Sequence, residues 1–276
     1  MRQLILAMAL GMNMFAAHAA PDVVPLQFIN GIPFLDITIG SASTRVMFDS
    51  GGKLGISLPA ETIEKSGSVQ VLDERKKFQD LQGKVHEVPK VIANKVIVGS
   101  TLLAPVKGQV HTQWGAAPEG PEAELTLARA GGAIGLEAFA NFPLMFDYKQ
   151  GTMSILNDEE VAQLGLPTWR TLDLQYDGKG PVLTLVVEGK QLKFVLDTGA
   201  QVNVIKQGAA CDTNQACELR DISGALDFST KIYRVKLDGA PFDGILGAPF
   251  FRRYRVVIDL KARKLHIASI EGQAQM

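Results

Sequence analysis

Apolar and polar positions alternate along much of this chain with the two-residue period of half-buried strands, in short runs punctuated by Gly, Asn and Pro. Phe34, Asp36 and Thr38 alternate with Leu35, Ile37 and Ile39, which predicts a strand over residues 33–39. Residues 21–28 predict a first strand, Asn30-Gly31 a turn, and residues 44–48 a return strand ending at Asp49. Pro59 opens a short helix over 60–65 with Gly67 as its stop. Short strands and turns follow over 69–112, including a hairpin over 78–88 with Gln82-Gly83 at its tip. Gly, Ala, Pro and Glu dominate residues 114–132, which predicts an exposed loop with a helical turn or two over 122–129. A short helix over 136–141, a hairpin of 144–147 with 152–156, and a polar helix over 158–164 stopped by Gly165 complete the first half.

The second half repeats the first. Phe194-Val195-Leu196-Asp197-Thr198-Gly199-Ala200 echoes Val46-Met47-Phe48-Asp49-Ser50-Gly51-Gly52. Pro33 precedes Asp49 by sixteen residues, as Pro181 precedes Asp197. Gly135 and Gly247, Phe139 and Phe251, Asp147 and Asp259, and Ile155 and Ile267 all match at a constant offset of 112. Asp49 and Gly135 are 86 residues apart (135 − 49), Asp197 and Gly247 only 50 (247 − 197), so the first half carries an insertion of about 36 residues (86 − 50). The expected organisation is a leader over 1–19, an N-terminal lobe over 20–157, a linker over 158–167 and a C-terminal lobe over 168–276.

The 276 residues, 46% hydrophobic and 21% charged, suffice for two ordinary cores. A net charge of −1 with no basic stripe excludes nucleic acid as the expected partner. Arg2, the apolar run from Leu4 to Ala17 and the small-x-small site Ala17-His18-Ala19 predict an export signal cleaved after Ala19, without stable membrane insertion afterwards. The expected destination is the periplasm or the exterior. In an oxidising compartment, Cys211 and Cys217, six positions apart, are expected to close a small disulfide loop.

Each repeat delivers an aspartate at the end of a strongly apolar strand, where an unpaired carboxylate is costly unless it has partners or a task. Each also has a downstream apolar-Gly segment: Ala133-Ile134-Gly135 and Ile245-Leu246-Gly247. Two lobes related by a pseudo-two-fold axis would bring Asp49 and Asp197 together. Two adjacent carboxyls cannot both ionise cheaply, so they share a proton and titrate as a pair. The pattern resembles the pepsin and retropepsin superfamily of aspartic proteases, whose proton-sharing pair is a standard example of this behaviour. The resemblance implies a mainly β fold of two related lobes with a cleft between them. It implies that Asp49 and Asp197 activate a water, that Ser50 and Thr198 interlock across the axis, and that Gly51 and Gly199 let backbone amides reach the carboxylates. Ile134 and Gly135, with Leu246 and Gly247, form the glycine segments beside them. An extended peptide would be the substrate, held by flap residues, with no metal or organic cofactor and a monomeric enzyme.

The sequence departs from the family pattern in the first lobe. Gly52 stands where the family carries Ser, Thr or Ala, and Gly132 stands where Asp243-Gly244 leads the second glycine segment. No tyrosine lies between Ala60 and Gly131, so the aromatic flap residue is missing. The flap falls to the hairpin around Gly83, and its second-lobe counterpart to residues 219–235 near Gly224. Neither Gly52 nor Ala200 offers a hydroxyl to the pair, which predicts raised titration and activity reaching towards neutral pH. A non-catalytic peptide-binding or regulatory module on the same scaffold is the alternative reading, and a structural adaptor a third. Trp114 and Trp169 read as packing residues. His18, His86, His111 and His266 form no metal-spaced pair, and there is neither a Gly-x-Ser-x-Gly elbow nor a phosphate-binding loop.

Overall fold

The computed structural model describes residues 21–79, 85–112, 122–165, 169–176, 180–211, 216–224, 226–237 and 239–270. The expected leader, the hairpin tip at Gln82-Gly83, Trp114 and residues 166 and 167 of the expected linker lie outside these residues.

Three sheets build the molecule. The first-lobe sheet centres on the hairpin Ile32–Ile39 and Ala42–Asp49, and the second on the hairpin Pro181–Val187 and Lys190–Leu196. In both lobes a short strand lies parallel to the second hairpin strand and antiparallel to another short strand. Ala133–Gly135 sits between Ala42–Asp49 and Ile56–Leu58, and Gly244–Leu246 between Lys190–Leu196 and Val204–Lys206. The registers match: Ile134 lies opposite Phe48, and Leu246 opposite Leu196.

The third sheet is shared by the lobes. Its order is Asp22–Pro25, Thr152–Ile155, Leu144–Asp147, Tyr254–Asp259, Lys264–Ser269 and Arg170–Asp173. Leu144–Asp147 and Tyr254–Asp259 run antiparallel with Met145 opposite Val257. Those two residues are also equivalent in the repeat, so the pseudo-two-fold axis passes between them. The turns beyond repeat as well: Asp147 accepts from the Gln150 amide at 3.0 Å, and Asp259 from the Ala262 amide at 2.8 Å.

The core follows the same symmetry. Phe48, Phe139 and Phe146 cluster in the first lobe, with Phe48 and Phe146 centroids 5.1 Å apart. Phe146 meets Phe251 edge-on at 6.0 Å, and Phe251 meets Phe250 at 5.7 Å, so one aromatic chain crosses between the lobes. All five rings are fully buried, and each contributes roughly 1.5–3 kcal/mol of burial free energy. Trp169 packs with Leu156, Val161 and Val257, as its packing role predicts.

Most expected elements are present, with three differences. The single strand expected over 21–28 is two, Asp22–Pro25 in the shared sheet and Gln27–Ile29 in the first-lobe sheet. Between them the Leu26 amide is drawn to the Gly151 carbonyl at 2.8 Å, which redirects the chain. The hairpin expected over 78–88 is longer, pairing Val69–Gln79 with Val85–Ala93 across an irregularity between Val71 and Arg75. The helix expected over 136–141 is a single 3-10 turn, Leu136–Phe139. By contrast, the helix Ala60–Ser66 ends on Gly67 at φ 60°, the left-handed position glycine favours.

Candidate active site

Each aspartate is delivered by an apolar strand that cannot turn back without exposing its core face. Asp49 ends Ala42–Asp49, behind Val46 and Phe48, both 0% exposed, and Asp197 follows Lys190–Leu196 directly. The two carboxyls meet at the lobe junction, where both come within 3.4 Å of the position a Cβ on Gly199 would take. Each also accepts one backbone amide two residues on: Gly51 to Asp49 Oδ1 at 2.9 Å, and Gly199 to Asp197 Oδ1 at 2.7 Å.

A symmetric clasp fixes the pair from below. The Thr198 hydroxyl donates to the Phe48 carbonyl at 2.8 Å and accepts the Ser50 amide at 3.0 Å. The Ser50 hydroxyl donates to the Leu196 carbonyl at 2.9 Å and accepts the Thr198 amide at 2.9 Å. Ser50 and Thr198 are both fully buried, so these four bonds satisfy groups that water cannot reach.

The glycines are required by close approach. A Cβ on Gly51 would run into the Asp197 carboxyl, and one on Gly199 would lie 3.0 Å from Asp197 Oδ1. A Cβ on Gly135 would crowd the carbonyls of Leu54 and Asp49, and one on Gly247 those of Ala200 and Val202. At Gly52 an added Cβ would meet nothing within 4 Å. Among the described residues, therefore, the structure brings together Asp49, Ser50, Gly51, Asp197, Thr198 and Gly199, with Ile134, Gly135, Leu246 and Gly247 packed against the two motif strands or turns.

Burial sets the chemistry. Both carboxyls keep some surface but are surrounded by protein, and desolvation pushes each well above the ordinary carboxylate range. The negative charge of Asp49 raises Asp197 further. The amides of Gly51 and Gly199 act in the opposite sense. Such a pair holds one proton between two oxygens, giving an acid and a base side by side.

Three further groups carry no signal in the spacing. Asn203, fully buried, accepts the Gly247 amide at 2.8 Å and donates to Thr230 at 3.0 Å. Arg129 ends the helix Glu122–Arg129 and donates to the Gly199 carbonyl at 3.4 Å. Tyr148 stacks on Phe251 at 5.3 Å, and burial pushes its phenol up, with the Asp197 charge adding to the effect. The long hairpin reaches the turn that follows Gly52 through Lys76, whose ammonium donates to the Lys53 carbonyl at 3.4 Å. The second-lobe hairpin, Cys217–Asp221 with Asp227–Thr230, overlaps the span 219–235 expected for the opposite flap. Cys211 and Cys217 are joined in a disulfide, which closes the loop before it. Among the described residues no helix is long and apolar enough to cross a membrane.

Residues 178–238 match the retroviral aspartyl protease family model. Among solved structures, the chain is similar to an aspartic proteinase from Irpex lacteus, with 13% identity over 91% of this chain and 97% of that chain, and a TM-score of 0.61. At that identity the likeness shows the fold. No curated protein matches the sequence.

Proposed function

Starting from a two-lobed fold of the pepsin and retropepsin kind, we propose that this protein is an aspartic endopeptidase. The observation that carries the reading is the convergence of the Asp49 and Asp197 carboxyls on one point between the lobes, where the surrounding protein pushes both upward. A water seated on the pair would lose a proton to the ionised carboxyl while the protonated one donates to the scissile carbonyl oxygen. The attacking oxygen forms the new bond to carbon, and collapse of the tetrahedral intermediate expels the amine with a proton returned by the pair. The substrate is an extended peptide laid beneath the hairpin Val69–Gln79 and Val85–Ala93, bonded through its main chain.

The clasp of Ser50 and Thr198 keeps the pair rigid, so its geometry does not wait on substrate. Export to the periplasm or beyond, as a monomer freed of residues 1–19, fits the disulfide of Cys211 and Cys217.

Cleavage of a peptide library by the purified protein, compared with Asp197→Asn, tests the reading. Cleavage by the native protein and a loss of about 10²–10⁴-fold in the variant are expected. Equal turnover by both would exclude the mechanism, and no turnover by the native protein would favour a peptide-binding module.

A further inference from the structure

Arg129 lies in the insertion that distinguishes the first half from the second, at the last position of Glu122–Arg129. Leu125, 5% exposed, anchors that helix against Ile32 and Phe34, with Ala128 and Met47 beside them. The helix therefore holds its C-terminal end in place. From there the Arg129 side chain crosses to the other lobe, where Nη2 donates to the Gly199 carbonyl at 3.4 Å. The amide of the same residue donates to Asp197 Oδ1 at 2.7 Å. Arg129 is half-buried, and its Nε is buried without a partner. A guanidinium in that position is costly unless negative charge lies close by.

The aspartate pair is the negative charge at hand. Its other donors are few: one backbone amide for each carboxyl, while the Ser50 and Thr198 hydroxyls point to carbonyls instead. Gly52 and Ala200 have no donor side chain. Tyr148 feels the Asp197 charge and is itself held protonated by burial, while Arg252 acts on Tyr148 rather than on the pair. Among the described residues, Arg129 is the cation that acts on both Asp49 and Asp197, favouring their ionised forms against the upward push of burial.

We propose that Arg129 is a positioning residue for the aspartate pair: it pins the Gly199 turn from the opposite lobe and supplies the positive charge that keeps one negative charge on the pair. Its role in peptide cleavage rests on the endopeptidase reading, but its effect on the pair's proton does not. The inserted segment thus contributes electrostatically to a site otherwise built by the repeat. Arg129 also makes the site sensitive to how the inserted helix is seated.

Carbon-13 NMR of the aspartate side-chain carboxyls, assigned with Asp49→Asn and Asp197→Asn, reads the pair's titration without substrate. In Arg129→Met the midpoint should rise by at least about one pH unit, and in Arg129→Lys by less. The acid limb of kcat/KM should move by the same amount. A native-like Arg129→Met protein with an unmoved midpoint would overturn the proposal. If that variant does not fold, Arg129→Gln keeps a donor for the Gly199 carbonyl without the charge, and an unmoved midpoint there overturns it equally. A native protein that cleaves no peptide yet shows the shift would refute the endopeptidase reading alone.

Discussion

In the second lobe the Gly247 amide is held by the side chain of Asn203, while in the first the matching Gly135 amide goes to the backbone carbonyl of Gly55 at 2.9 Å. The same contrast appears one strand away. Asp243 accepts the Lys193 amide at 2.9 Å, whereas a side chain at Gly131, its counterpart at the repeat offset, would strike the Arg45 carbonyl. The compact lobe secures its strands with side chains, Asn203 and Asp243. The longer lobe uses bare backbone and an inserted helix. The repeat is strict where two carboxyls must arrive at one point, in strand register and in the clasp, and relaxed in the means that hold each strand there.

Four measurements test how evenly the two lobes share the site. The strongest sets the two aspartates against each other: Asp49→Asn should lose as much turnover as Asp197→Asn, about 10²–10⁴-fold, despite the first lobe's divergence. A much smaller loss at Asp49 would place the chemistry in the second lobe alone. Next come the motif glycines. Gly51→Ala must displace the opposite carboxyl and should cost at least about 10²-fold in kcat, whereas Gly199→Ala, with 3.0 Å of clearance from Asp197 Oδ1, should cost less. Steady-state kinetics on the two variants would show the order.

The clasp should be symmetric in energy. Ser50→Ala and Thr198→Val each leave a buried amide of the other lobe without its acceptor, so each should lower unfolding free energy by about 1–3 kcal/mol. Because the four bonds form one network, the double variant should lose less than the two singles combined, as chemical denaturation would report.

The smallest effect is on stability against pH. Asp197 titrates above its unfolded value of 3.8, so the fold retains a proton that the unfolded chain gives up. Stability is therefore lost as pH rises from about that value towards the folded one, and Asp197→Asn removes the loss. The variant should match the native protein in strong acid and melt a few degrees higher near neutrality, measured by thermal unfolding across pH.

Much of the site was legible in the residue order because the chain states it twice. Asp49 and Asp197 stand out only when Gly135 and Gly247 are set at the offset that also carries Phe139 to Phe251. Arg129 was not legible. It is one arginine in a stretch of Gly, Ala and Glu, and its partner Gly199 lies 70 residues on, with no periodicity linking them. Asn203 was hidden for a related reason, since a buried amide that satisfies a backbone N–H leaves no pattern in polarity. The break at Leu26 also depends on a distant carbonyl, that of Gly151, and no local propensity announces it.

The shared sheet has a consequence for the order of folding. Val23 pairs with Ser154, and Leu144 with Ile258, so strands from the ends of the chain close loops of more than a hundred residues. Such distant pairings form slowly, because the entropy of closure must be met before any contact offsets it. The clasp at Ser50 and Thr198 spans 148 residues and is subject to the same delay. A nascent chain can complete each hairpin locally, yet its two carboxyls stay apart until the last long-range strands dock. Assembly of the aspartate pair is thereby a late event in the life of the polypeptide, and a chain caught before that docking would hold its two carboxyls apart.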